Sequence, residues 1–188
     1  MASEIEIVSN ALILLGDKSV TSFEEASDRA LLVKSLYTST RDAVLRAHPW
    51  NFAIRRKVVA KDAAAPVFGE FKTQFTLPTD PYCLRVLDVD DDPEIRFKIE
   101  GRKILADVET LNLRYVARIV DTNEYDALFL TTLEARLAAD AATPVTGSAS
   151  MFNQMWAVYT SKLREARSID GQEGSPDTFS ANDLSKVR

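Results

Sequence analysis

A chain of 188 residues, 46% hydrophobic and 27% charged, has room for one folded domain with its own core. Its formal net charge of −5 argues against a general affinity for nucleic-acid backbone, which needs concentrated Lys and Arg. One cysteine, Cys83, excludes an internal disulfide and a multi-cysteine metal site; with no signal pattern over Met1–Glu4 and no apolar run near ~18 residues, synthesis in a cytoplasm is expected.

Ser3 with Glu6 forms a capping box, and Ile5, Val8, Leu12 and Leu15 follow at helical spacing, so a first helix is expected with Gly16 as its terminator. A second box, Ser22 with Glu25, predicts a helix to about Ala47, nearly 40 Å long at ~1.5 Å per residue. Pro49 lacks a backbone N–H and holds His48 out of the α region, so that helix must stop there. Trp50 and Phe52 then lie on one face of extended chain, and Pro49, Trp50 and Phe52 are read as a structural hinge binding two layers.

Past the hinge the period changes to two. Strands are expected over 53–60, around Phe71–Leu77, Tyr82–Val89 and Ile95–Ile99, then back through Ile104 and Leu105 after a turn at Glu100-Gly101-Arg102, and from Leu111 toward Val120. Helix returns at about Glu124, with Tyr125, Leu128, Phe129, Leu133, Leu137 and Ala141 as its stripe and Thr143-Pro144 as its stop. A last helix carries Phe152, Met155, Tyr159, Leu163 and Ala166 on one face and ends at Gly171. The expected fold is therefore α+β: a bundle of about four helices (1–50 and 121–171), a small antiparallel β insert (51–120) between the second and third, and an extended arm (172–188). The arm is too polar to fold alone, and Phe179, Leu184 and Val187 are its candidate anchors for docking on a partner.

Nothing in the sequence assembles a catalytic, cofactor or metal site. His48 is the only histidine and sits at a helix end, and no Gly-x-Ser-x-Gly elbow or phosphate-binding glycine pattern occurs. The acid run Asp88, Asp90, Asp91, Asp92, Glu94 fails the calcium-loop pattern, because Pro93 stands where glycine is needed and Ile99 where the last glutamate belongs. Arg55-Arg56-Lys57 is the densest basic cluster and a candidate interface. It is also the sole support for a rival class, a small cytoplasmic helical DNA-binding or regulatory protein. An enzyme is not expected.

Several strings occur in a telling order. They are Ala11-Leu12-Ile13-Leu14-Leu15-Gly16, then Tyr37 with Arg41-Asp42-Ala43-Val44-Leu45 leading into His48-Pro49-Trp50-Asn51-Phe52-Ala53. Phe75-Thr76-Leu77-Pro78-Thr79-Asp80, Leu84-Arg85-Val86, Leu113-Arg114-Tyr115-Val116 and Tyr125-Asp126-Ala127-Leu128-Phe129 follow, before Ala141-Ala142-Thr143-Pro144-Val145-Thr146. In that order and spacing the chain resembles the tail tubular protein A family, the head-to-tail adaptors (gatekeepers) of short-tailed bacteriophages and related prophages. The resemblance implies a virion protein at the head–tail junction. Made in the host bacterial cytoplasm, it would form a ring of about twelve copies beneath the portal, meet portal and tail nozzle or tube proteins, with Phe179, Leu184 and Val187 docking on the portal or a neighbouring subunit, and surround the channel through which DNA passes without specific binding. It implies no cofactor and no membrane.

Overall fold

The computed structural model describes residues 2–90 and 94–173. Helix α1 (Glu4–Leu14) opens on the expected box: the Glu6 N–H donates to Ser3 Oγ at 3.2 Å and the Ser3 N–H to the Glu6 carboxylate at 2.6 Å. It closes on a Schellman turn, in which Gly16, at φ +76°, donates to the Ile13 carbonyl and Asp17 to that of Leu12. Ser9 Oγ then donates to the Val20 carbonyl at 2.8 Å, which holds the returning chain against α1.

Helix α2 (Asp28–Ala47) starts later than the Ser22–Glu25 box implied. The Glu25 carboxylate accepts from the Thr21 N–H at 3.0 Å and the Ser27 hydroxyl at 2.9 Å, so these residues build a turn. Ser27 takes the capping role, accepting the Ala30 N–H at 3.3 Å. With 20 residues the helix spans about 30 Å, not nearly 40 Å. It ends where expected, with His48 extended at φ −143° ahead of Pro49.

A short 3-10 turn (Asn51–Ala53) leads into six strands among the described residues: β1 (Ile54–Ala60), β2 (Thr73–Thr76), β3 (Cys83–Val89), β4 (Phe97–Glu100), β5 (Lys103–Ala106) and β6 (Thr110–Ala117). They form two three-stranded antiparallel sheets, ordered β1-β6-β3 and β2-β5-β4. The alternation read from the sequence sets their faces. Leu111, Leu113 and Tyr115 of β6 point into the core, and Phe75 of β2 stands opposite Ile104 of β5, both buried.

Helix α3 (Ala127–Thr146) is capped by Asp126, whose carboxylate accepts from the Leu128 and Phe129 N–H groups. Thr143-Pro144 does not stop it. Pro144 removes one hydrogen bond within the last turn, a place where the loss is tolerated, and Gly147, at φ +66°, ends the helix. Helix α4 (Ala149–Asp170) returns from Ser148 along α3.

The helices are not the simple bundle expected. α1, α2 and α4 each make their principal helix contacts with α3, which serves as a hub. The cause lies in the α3 sequence: Phe129, Leu133, Ala135, Leu137, Ala138, Ala139, Ala141 and Ala142 are all buried, so the helix is apolar nearly all round instead of along one stripe. The alanines let three partners approach closely. The strands do lie between α2 and α3, and one contiguous buried core runs through helices and sheets.

Candidate functional site

The hinge residues converge on the start of α3. Trp50 is 0% exposed, and its Nε1 donates to the Val44 carbonyl at 3.0 Å, tying the hinge back onto α2. Its ring meets Phe129 edge-on at 5.2 Å and stacks near Phe52 at 6.3 Å, while Phe52 and Tyr125 pack on Phe129 at 5.0 and 4.9 Å. Pro49 ends α2 just ahead of this cluster. Sequence reading places these three residues as a hinge, and here Trp50 and Phe52 pack together.

A residue not singled out in the sequence locks the hinge from outside. Asp170, the last residue of α4, accepts the Asn51 N–H at 3.0 Å and lies 2.9 Å from His48 Nε2, while its own carbonyl accepts Asn51 Nδ2 at 2.7 Å. Burial pushes the His48 imidazole below its ordinary pKa, against the pull of the Asp170 carboxylate, and Arg167 and Arg85 push the same way. The geometry agrees with burial: His48 Nδ1 is enclosed without a partner among the described residues, so protonation would bury an unsatisfied N–H. The neutral tautomer donates from Nε2 to Asp170.

A pH dependence follows. A histidine whose folded pKa is depressed leaves the unfolded chain binding more protons, so stability is full above the unfolded value near 6.5 and declines as pH falls below it. Thermal melts between about pH 7.5 and about pH 5.5 should show a falling midpoint, and His48→Gln should flatten that slope. An equal slope in the variant would remove His48 as the cause.

The basic cluster is divided by its own strand. Arg55 donates to the Phe52 and Ile54 carbonyls and pairs with Glu124 at 2.5 Å, and Lys57 donates to the Asp80 carbonyl at 3.2 Å. Arg56 lies on the opposite face of β1, across from Arg114 of β6. The three charges therefore do not make one patch.

The described part of the acid run closes the end of a sheet. Asp90 accepts from both Asn112 nitrogens, and Asp88 lies 3.5 Å from Arg114. Cys83 is buried at the start of β3, and burial raises its thiol pKa. Among the described residues no group of three or more His, Cys, Asp or Glu gathers as a metal site would require. Phe179, Leu184 and Val187 lie outside the described residues.

Exposed apolar side chains include Ile13, Leu31, Val58 and Val120, and two pairs that carry aromatics. Val67 and Phe68, in the β1–β2 loop, are 96% and 89% exposed. On α4, Phe152 and Trp156 stack at 6.0 Å with their rings partly open, and Arg136 of α3 sits 4.8 Å from the Trp156 ring while pairing with Asp140 at 3.0 Å. Such surfaces suit contacts with other chains. No helix among the described residues is long and apolar enough to cross a membrane. No protein-family model matches this chain, and no curated protein matches it significantly.

Proposed function

We propose that the protein is a structural phage head-to-tail adaptor, which forms a ring beneath the portal, joins the DNA-filled head to the tail and surrounds the DNA channel. The ordered strings in the sequence motivate the reading. The observation that carries it is the presence of two unlike exposed apolar features on different layers, Val67–Phe68 beside the strands and Phe152–Trp156 on α4. Unlike patches favour head-to-tail contacts between copies, and contacts of that kind close into rings when the rotation permits. The rival DNA-binding reading depended on Arg55, Arg56 and Lys57 acting as one patch, and the strand places them on two faces.

Both apolar features are small, so the free protein is expected to be a monomer or weak oligomer that needs a portal as template. Mass measurement of the protein alone and mixed with a candidate portal tests this. Monomer alone and a ring on the portal is the expected pair of results. A closed ring from purified protein at micromolar concentration would overturn the templating, and failure to engage any short-tailed-phage portal would overturn the adaptor reading.

A further inference from the structure

Four arginines distant in sequence meet beside the C-terminal end of α2. Arg46 of α2, Arg85 of β3, Arg102 of the β4–β5 turn and Arg118 after β6 line one groove of about 580 Å³ between β3 and the β4–β5 hairpin. Among the described residues no Asp or Glu lines it. Asp42 pairs with Arg118, at 2.6 Å, while also holding Arg41, but Arg46, Arg85 and Arg102 have no carboxylate partner among the described residues. Three uncompensated guanidinium groups in a protein of net charge −5 make a focused positive field.

The rest of the lining narrows the ligand. Leu84, Val86 and Ile99 give the groove an apolar part, with Ile99 46% exposed. Tyr82 already carries two guanidinium groups over its ring, Arg102 at 4.0 Å and Arg118 at 4.3 Å, and they compete with any base that would stack there. Two carbonyls of β3 are already taken, Cys83 by Arg102 and Leu84 by Arg46, and the strand is bulged twice. Addition of a further strand is thereby obstructed, and recognition falls to side chains. A phosphate backbone has charge to offer but nothing for the apolar part.

We propose that this groove binds an acidic peptide segment of a partner protein, with Asp or Glu side chains on Arg46 and Arg85 and an apolar anchor against Leu84, Val86 and Ile99. Planar guanidinium groups suit carboxylates bidentately, and Arg beside apolar surface is the composition of an interface centre. The inference stands on this groove and holds whether or not the adaptor reading does.

The test is fluorescence anisotropy of the full chain with a labelled peptide of alternating Glu and Leu. Saturable binding is expected, weakened by salt, weakened when the leucines become serine, and absent when Lys replaces Glu. Arg85→Glu should weaken it by about tenfold or more. Among the described residues the Arg85 side chain makes one long hydrogen bond, 3.5 Å to the Arg46 carbonyl, so the variant is expected to melt like the wild type. Ile99→Ser gives a second, uncharged variant that should also weaken binding. The proposal is overturned if the wild type does not bind the peptide, or if both variants melt normally and bind it unchanged. It is equally overturned if duplex DNA displaces the peptide and is the ligand whose binding Arg85→Glu abolishes.

Discussion

Trp50→Ala should cost about 3–5 kcal/mol in denaturant melts, the range for emptying a large buried aromatic site. The side chain is wholly enclosed, and its removal opens a cavity bounded by Phe52 and Phe129. It also leaves the Val44 carbonyl, which Trp50 Nε1 satisfies at 3.0 Å, without its donor. Trp50→Phe separates the two contributions: it keeps most of the packing and loses the hydrogen bond, so a smaller loss is expected. A cost below ~1 kcal/mol for the alanine variant would mean that the hinge does not bind the layers together.

Asp170→Ala should cost about 2–3 kcal/mol, because one carboxylate serves both His48 Nε2 and the Asn51 N–H. A carboxylate in the last turn of a helix works against the macrodipole, which makes its retention there informative: the bonds to the hinge outweigh that penalty. Asp170→Asn keeps an acceptor of the same size and should lose markedly less. Equal losses in the two variants would indicate that charge, rather than the bond to Asn51, is what holds α4 to the hinge. Chemical denaturation at neutral pH distinguishes the cases, with the amide variant as the internal reference.

What could be read in the sequence was local. The Ser3–Glu6 box, the stop at Pro49 and the alternation in β2 and β6 each depend on residues a few positions apart, and each stands in the structure. The start of α2 was misplaced because Ser22 and Ser27 are both competent caps, and the choice between them rests on a turn that Glu25 stabilises. The stop at Pro144 failed because a proline in the final turn forfeits little. Which helix packs on which is a long-range matter. The one available sign was that α3 carries apolar side chains on more than one face, whereas a stripe was read. Asp170 and His48 are 122 positions apart, and the four arginines of the groove come from four separate parts of the chain. No spacing rule could have gathered them.

The hub arrangement also sets an order of events on the ribosome. α1 and α2 find their main helical partner only in α3, whose last residue, Thr146, is made long after Ala47. At ~5–20 residues per second, the nascent N-terminal helices wait roughly 5–20 s for the helix on which they mainly pack. During that interval the β2-β5-β4 sheet can close by itself, since all three of its strands fall within 73–106. The middle of the chain is thus free to mature before its beginning, and the third helix arrives as the piece that completes both.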